Sequence, residues 1–218
     1  MSVNYIVDLL RAEYKIREFQ PHHDPLAELI QTILSQNTSD KNSRPAFKAL
    51  QDTFGSWEAI ITAEIDEIAD SIKGGGLGQI KAKRIQTALL EIKKRRSKID
   101  LSFLSDMQVK EAREWLKQLP GVGNKTANCV LLFALGKPAL PVDTHIFRLS
   151  KRLGLIPQQA SLDEAHELLE NIVPVDDIYE FHVSMIEHGR QVCKALHPHC
   201  SECIIKSYCL YYKQSTSS

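Results

Sequence analysis

Apolar residues recur at three- and four-residue steps along nearly the whole chain: Ile6, Leu9, Leu10; Leu26, Leu29, Ile30, Ile33, Leu34; Leu89, Leu90. Sustained alternation with a period of two is absent, so the apolar faces belong to helices and not to strands. The pattern predicts an all-α protein of about ten helices. Breaks fall at residues 20–24, 54–56, 74–78, 102–105, 119–123, 136–141 and 154–158, where Gly, Pro, Ser, Asn and Asp collect. With 43% hydrophobic residues in 218, these helices can bury a full core, as one large domain or two small ones.

Net charge names no partner, because 27 Lys and Arg balance 27 Asp and Glu. The distribution is uneven. Residues 81–98 hold eight bases (Lys81, Lys83, Arg84, Lys93, Lys94, Arg95, Arg96, Lys98) against Glu91, a run that reads as a solvated helix face. Residues 161–180 hold seven carboxylates and no Lys or Arg. The opening MSVNYIVDLLRAEYK carries charges inside its apolar run and reads as an amphipathic helix, not a signal peptide. No apolar run reaches the length of a membrane span. A soluble, cytoplasmic protein without a membrane partner is the expectation, nucleoid-associated if the source is prokaryotic.

Four of the five cysteines crowd into Cys193-KALHPH-Cys200-SE-Cys203-IIKSY-Cys209. Four thiolates in seventeen residues meet at one centre only if the chain wraps around it, and a reducing compartment favours metal ligation over disulfides. Spacing alone suits tetrahedral zinc as well as an iron–sulfur cluster. Cys129 lies in an apolar helical stretch and reads as a small core residue.

The stretch LPGVGNKT (residues 119–126) lacks the glycines that a Walker loop needs before its lysine and five residues earlier. It reads instead as a helix–hairpin–helix: a helix over 111–118, a tight turn, and a second helix over 124–135. Gly121, Val122 and Gly123 would turn backbone N–H groups outward at a helix start, where a phosphate oxygen is favoured whatever the base sequence. Lys125 then sits in the first turn. The helix dipole disfavours its charge there, which lowers the pKa and raises the fraction of nucleophilic neutral amine. Eighteen residues later, in PVDTHIFRLSKRLG, Asp143 precedes an apolar helical pattern. N-capping alone explains an aspartate there. A chemical role requires Asp143 to meet Lys125.

Together LPGVGNKTAN, PVDTHIFR, EHGRQVC and the four-cysteine loop resemble the endonuclease III family of DNA glycosylases, from about residue 24 to Cys209. The resemblance implies a helix–hairpin–helix glycosylase fold of two parts. One is a six-helix barrel domain, residues 23–137, with the hairpin at about 111–135; the other is a helical iron–sulfur domain, residues 1–22 with 138–218. It implies a bifunctional DNA glycosylase and AP lyase of base excision repair, removing damaged, in particular oxidised, pyrimidines. Lys125 would attack C1′ and form a Schiff base, Asp143 would assist, and β-elimination would nick the strand. Cys193, Cys200, Cys203 and Cys209 would hold a [4Fe–4S] cluster.

A base inside a duplex hides its C1′, so the nucleotide must be flipped out. By the same resemblance LSQNTSD supplies the side chain that fills the gap, Asn37 with Gln36 beside it, and GGGLGQIKAKR supplies Leu77 as an apolar wedge. Lys194 in the cysteine loop would add a DNA contact. The expected partner is double-stranded DNA with a damaged base or abasic site, bound by a monomer. The chain departs from the family in Asn124, where arginine is usual, and in His197 and His199, where the cysteine loop is often basic. SQNTSD and IDLSFL are also similar to the plant DNA demethylase glycosylases. A non-catalytic DNA-binding module would leave Lys125 and Asp143 idle, and an iron–sulfur electron carrier would leave the hairpin unexplained.

Overall fold

The computed structural model describes residues 3–16 and 18–216, and every regular element among them is helical. In chain order the helices are α1 (Val3–Tyr14), α2 (Pro25–Ser35), α3 (Asp40–Phe54), α4 (Trp57–Thr62), α5 (Ile65–Ser71) and α6 (Gly78–Arg96). There follow α7 (Val109–Lys117), α8 (Asn124–Cys129), α9 (Thr144–Leu153), α10 (Leu162–Glu170), α11 (Ile178–Gln191) and α12 (Leu210–Thr216). Short helices of six or seven residues, such as α4 and α5, raise the count above that read from periodicity. Contact density divides the chain into two compact units, Pro21–Lys137 and the remainder, which joins the residues up to Gln20 to those from Pro138 onward.

In the Pro21–Lys137 unit α2 is the central element, packing on α3, α6, α8 and the turn that follows α8. Asp24 caps it by accepting the Ala27 N–H at 2.9 Å, and Pro25 fits the first helical position because its missing N–H would have no partner there. Leu29, Ile30, Ile33 and Leu34 are all fully buried, each contributing roughly 1.5–3 kcal/mol of transfer free energy. Next to it α6 buries Ala82, Ile85, Ala88, Leu89 and Ile92. Its last turn, Lys93 to Arg96, places four cations at the negative end of the helix dipole. The basic run is therefore not wholly solvated: Lys81 is 1% exposed, because its ammonium finds three oxygens inside the protein.

Helix α8 continues as a π turn, Val130–Ala134, before Gly136 ends it. The expected single helix over 124–135 is thus an α segment with a widened last turn.

In the other unit α1 packs on α11, burying Ile6 and Leu10, while Arg11 pairs with Asp177 at 2.7 Å and with Glu180. Phe19 stacks on Tyr179 with ring centroids 4.3 Å apart. Helix α11 also crosses α9 at Gly189, where a Cβ would lie 2.9 Å from the His145 Cβ; only glycine permits that approach.

Candidate active site and nucleic-acid interface

The hairpin is built from inward and outward residues in alternation. Leu119 and Val122 are buried, Gly121 and Gly123 are exposed, and the Val122 N–H closes the turn onto the Leu119 carbonyl at 3.1 Å. Gly121 has φ +78°, a left-handed conformation that favours glycine. Gly123 is extended and leads into α8, its carbonyl accepting the Ala127 N–H. The Val122 side chain anchors the turn, and its N–H is bonded within it. Gly121 and Gly123 keep the exposed positions.

Gln36 is tied to the same hairpin. Its amide donates to the Gly121 carbonyl at 3.2 Å and to Thr126 Oγ1 at 3.4 Å, and its Oε1 accepts from Arg84 Nη1 at 2.7 Å. Through these bonds the Gln36 amide braces the hairpin. Asn37 and Leu77, by contrast, are exposed, and both adopt left-handed backbone with φ of 53° and 54°. Leu77 is 51% exposed at the residue before α6, a costly place for a leucine side chain unless it meets a partner.

Lys125 is the second residue of α8 and is half-buried. Packed against α8, α2 carries Glu28 as its one charged residue. Burial raises the Glu28 pKa; hydrogen bonds from His22 at 3.1 Å and Thr32 at 3.0 Å, and the charges of His22 and Lys125, oppose the rise. Lys125 thus lies in the field of a shielded acid that sequence reasoning did not single out. The available signal was Glu28 itself, set among Leu26, Leu29 and Ile30.

Asp143 caps α9, its Oδ1 accepting the Ile146 N–H at 2.8 Å. The segment before it is held by three buried or part-buried contacts. His166 bonds the Leu140 carbonyl, Glu170 accepts the Leu140 N–H, and His182 bonds the Pro141 carbonyl, all at 2.8–3.0 Å.

The same helix organises the cysteine loop. Arg148 donates to the Cys193 carbonyl at 2.8 Å and to the Gly189 carbonyl at 3.0 Å, and Arg152 reaches the Cys193 sulfur at 3.2 Å and the Lys194 carbonyl at 2.8 Å. Lys194 itself is exposed. All four expected cysteines line one small cavity. Among the described residues no group of three or more His, Cys, Asp or Glu side chains is arranged to hold a single metal ion.

Burial pushes the Cys203 thiol up to about 11, and the neighbouring Cys193, Cys209 and Cys200 add to the rise. Burial also lowers His188 to about 4, so the ring is neutral, while Tyr14, raised to about 12 chiefly by burial, keeps its proton. The Tyr14 hydroxyl lies 2.8 Å from His188 Nδ1, and His188 Nε2 lies 3.3 Å from the Cys203 sulfur; the tautomer protonated on Nε2 would accept from Tyr14 and donate to the sulfur. Arg148, Arg152 and His188 were not singled out from sequence. The i, i+4 spacing of the two arginines, off the Ile146–Leu149–Leu153 face, was the available signal.

Residues 30–175 match the HhH-GPD superfamily of base excision DNA repair proteins. The endonuclease III of Thermotoga maritima is 37% identical over 202 residues, covering 91% of this chain and 90% of that protein. A solved non-covalent endonuclease III–DNA complex superposes with a TM-score of 0.84 at 30% identity, covering 99% of this chain and 97% of that one. A trapped endonuclease III–DNA covalent intermediate gives 0.82 at 31% identity, covering 98% and 97%. With its all-helical fold, hairpin and four-cysteine loop, the chain belongs to the endonuclease III family within the HhH-GPD superfamily of base excision DNA repair proteins.

Proposed function

We propose that this protein is a bifunctional DNA glycosylase and AP lyase that removes oxidised pyrimidines, acting as a monomer on double-stranded DNA. The observation that carries the reading is the half-buried Lys125 in the first turn of α8, separated from the exposed Gly121–Gly123 turn by Asn124. The turn would hold a phosphate by backbone N–H groups and so present the adjacent nucleotide to the lysine. The neutral amine of Lys125 forms a bond to C1′ as the glycosidic bond breaks, and the base leaves with the bonding pair and a proton. Ring opening gives the Schiff base. Loss of a C2′ proton then expels the 3′ phosphate, nicking the strand. Asp143 contributes a carboxylate that stabilises positive charge developing at the sugar.

The cysteine loop fits a four-thiolate cluster. Its four cysteines line one cavity, burial and the neighbouring cysteines disfavour ionisation of Cys203, and Arg152 and His188 approach the sulfurs of Cys193 and Cys203. Cys193, Cys200, Cys203 and Cys209 would hold a [4Fe–4S] cluster, which would supply a cross-link for a segment with little core of its own.

Borohydride reduction in the presence of abasic duplex DNA tests the central claim. A covalent adduct is expected, and it disappears in Lys125→Ala. No adduct from the wild-type protein refutes lyase chemistry.

A further inference from the structure

Among the described residues Lys81 and Phe181 are the largest fully buried side chains, and Lys81 carries a charge. Its Nζ lies 2.6 Å from the Leu34 carbonyl, 2.7 Å from Thr38 Oγ1 and 2.9 Å from the Gly75 carbonyl. An ammonium has three protons, and these three oxygens use them all. Thr38 closes the arrangement by donating its own hydroxyl to the Gly75 carbonyl at 2.6 Å. Burying a cation is expensive, and a methionine would fill the same volume without that cost. What the cation adds is a junction between segments far apart in sequence.

The three acceptors are informative. Leu34 ends the buried part of α2, Thr38 directly follows Asn37, and Gly75 stands two residues before Leu77. One ammonium therefore joins the roots of the two loops whose tips, Asn37 and Leu77, are exposed and left-handed. Left-handed backbone at a non-glycine residue persists only where its surroundings enforce it. The Lys81 junction is that enforcement, because it bonds each loop within two residues of its tip.

We propose that Lys81 is a positioning residue that fixes Asn37 and Leu77 as one rigid wedge, so that extrusion of a paired nucleotide depends on it while chemistry at Lys125 does not. The inference rests on the glycosylase reading given above. Two loops that move independently would each have to be ordered during insertion; a pre-set pair avoids that ordering cost. Lys81 itself touches no DNA.

The test compares two substrates with the full-length protein. For Lys81→Met, excision from a fully paired duplex carrying an oxidised pyrimidine is expected to fall about tenfold or more, matching the loss of charge-assisted hydrogen bonds. Extrusion, followed by fluorescence of 2-aminopurine placed beside the lesion, falls in step. Borohydride trapping on single-stranded abasic DNA, where nothing needs extruding, stays within about twofold of wild type. Thr38→Val removes the hydroxyl link but keeps the lysine, and shifts the same ratio in the same direction by less. It supplies the reading if the methionine variant does not fold. Equal losses on the two substrates, or no loss on the duplex, overturn the inference. If wild-type protein forms no adduct with abasic DNA, the glycosylase reading itself has failed, a result distinct from either.

Discussion

Asp143 has two possible employments, and substitution separates them. As a cap, its carboxylate accepts the Ile146 N–H at 2.8 Å. Removing that acceptor in Asp143→Ala costs about 1 kcal/mol. For a chain of 218 residues this lowers the thermal midpoint by roughly 2–4 °C. Asparagine accepts the same bond, so Asp143→Asn keeps the cap and loses only the favourable meeting of a negative charge with the helix start, about 0.3–1 kcal/mol. Chemistry orders the variants differently. If the carboxylate stabilises charge at the sugar, both variants lose single-turnover excision by about a hundredfold or more, the asparagine protein as badly as the alanine protein. Thermal melts and excision rates measured on the same preparations decide the matter. An asparagine variant with wild-type excision would reduce Asp143 to a cap and refute its place in the proposed mechanism.

Arg84→Ala should make the fall of duplex affinity with salt shallower by about 0.9 in log–log slope, as expected for one lost phosphate contact beside Gly121; an unchanged slope argues against such a contact. Gly121→Ala forces a Cβ to 3.3 Å from Arg84 Cδ at φ +78°, and should cost roughly 1–2 kcal/mol of stability and weaken duplex binding. A melt identical to wild type would show the turn to be unconstrained. Asp100 is held near 2, first by Lys98 and then by the Ser102 N–H and hydroxyl. A depressed acid stabilises the fold above its ordinary pKa of 3.8 and loses that effect as pH falls towards 2. Asp100→Asn should therefore lose less than about 1 kcal/mol at neutral pH, after solvent screening, with the difference closing in acid. Cys203→Ser should lose bound iron and brown colour by metal analysis and absorption; full iron content would remove Cys203 from the ligand set.

The helices were legible because their apolar faces follow the helical period, and the family was legible because its motifs sit in order along the chain. What periodicity does not encode is where a polar side chain goes once it leaves the surface. Lys81 looked like one more base on a solvated face, yet its ammonium is buried against oxygens supplied by two other segments. Gln36 and Asn37 are neighbours and both amides, but only Gln36 lies within reach of the Gly121 carbonyl, so they divide into a brace and an exposed tip. Glu28 was overlooked because an acid on α2 matters only through its packing on α8. The π turn after Cys129 leaves no compositional mark at all.

The joining of α1 to α11 has a consequence for how the protein is made. Residues 21–137 are continuous in sequence, so that unit can fold as soon as it leaves the ribosome. The other unit cannot, because Arg11 and Tyr14 find Glu180 and His188 only across separations of 169 and 174 residues. Until then α1 carries its apolar stripe, Ile6, Val7 and Leu10, without a cover. Closing so long a loop is slow and late. A chain that stops before α11 would therefore leave exposed the stripe of a helix made at the very start.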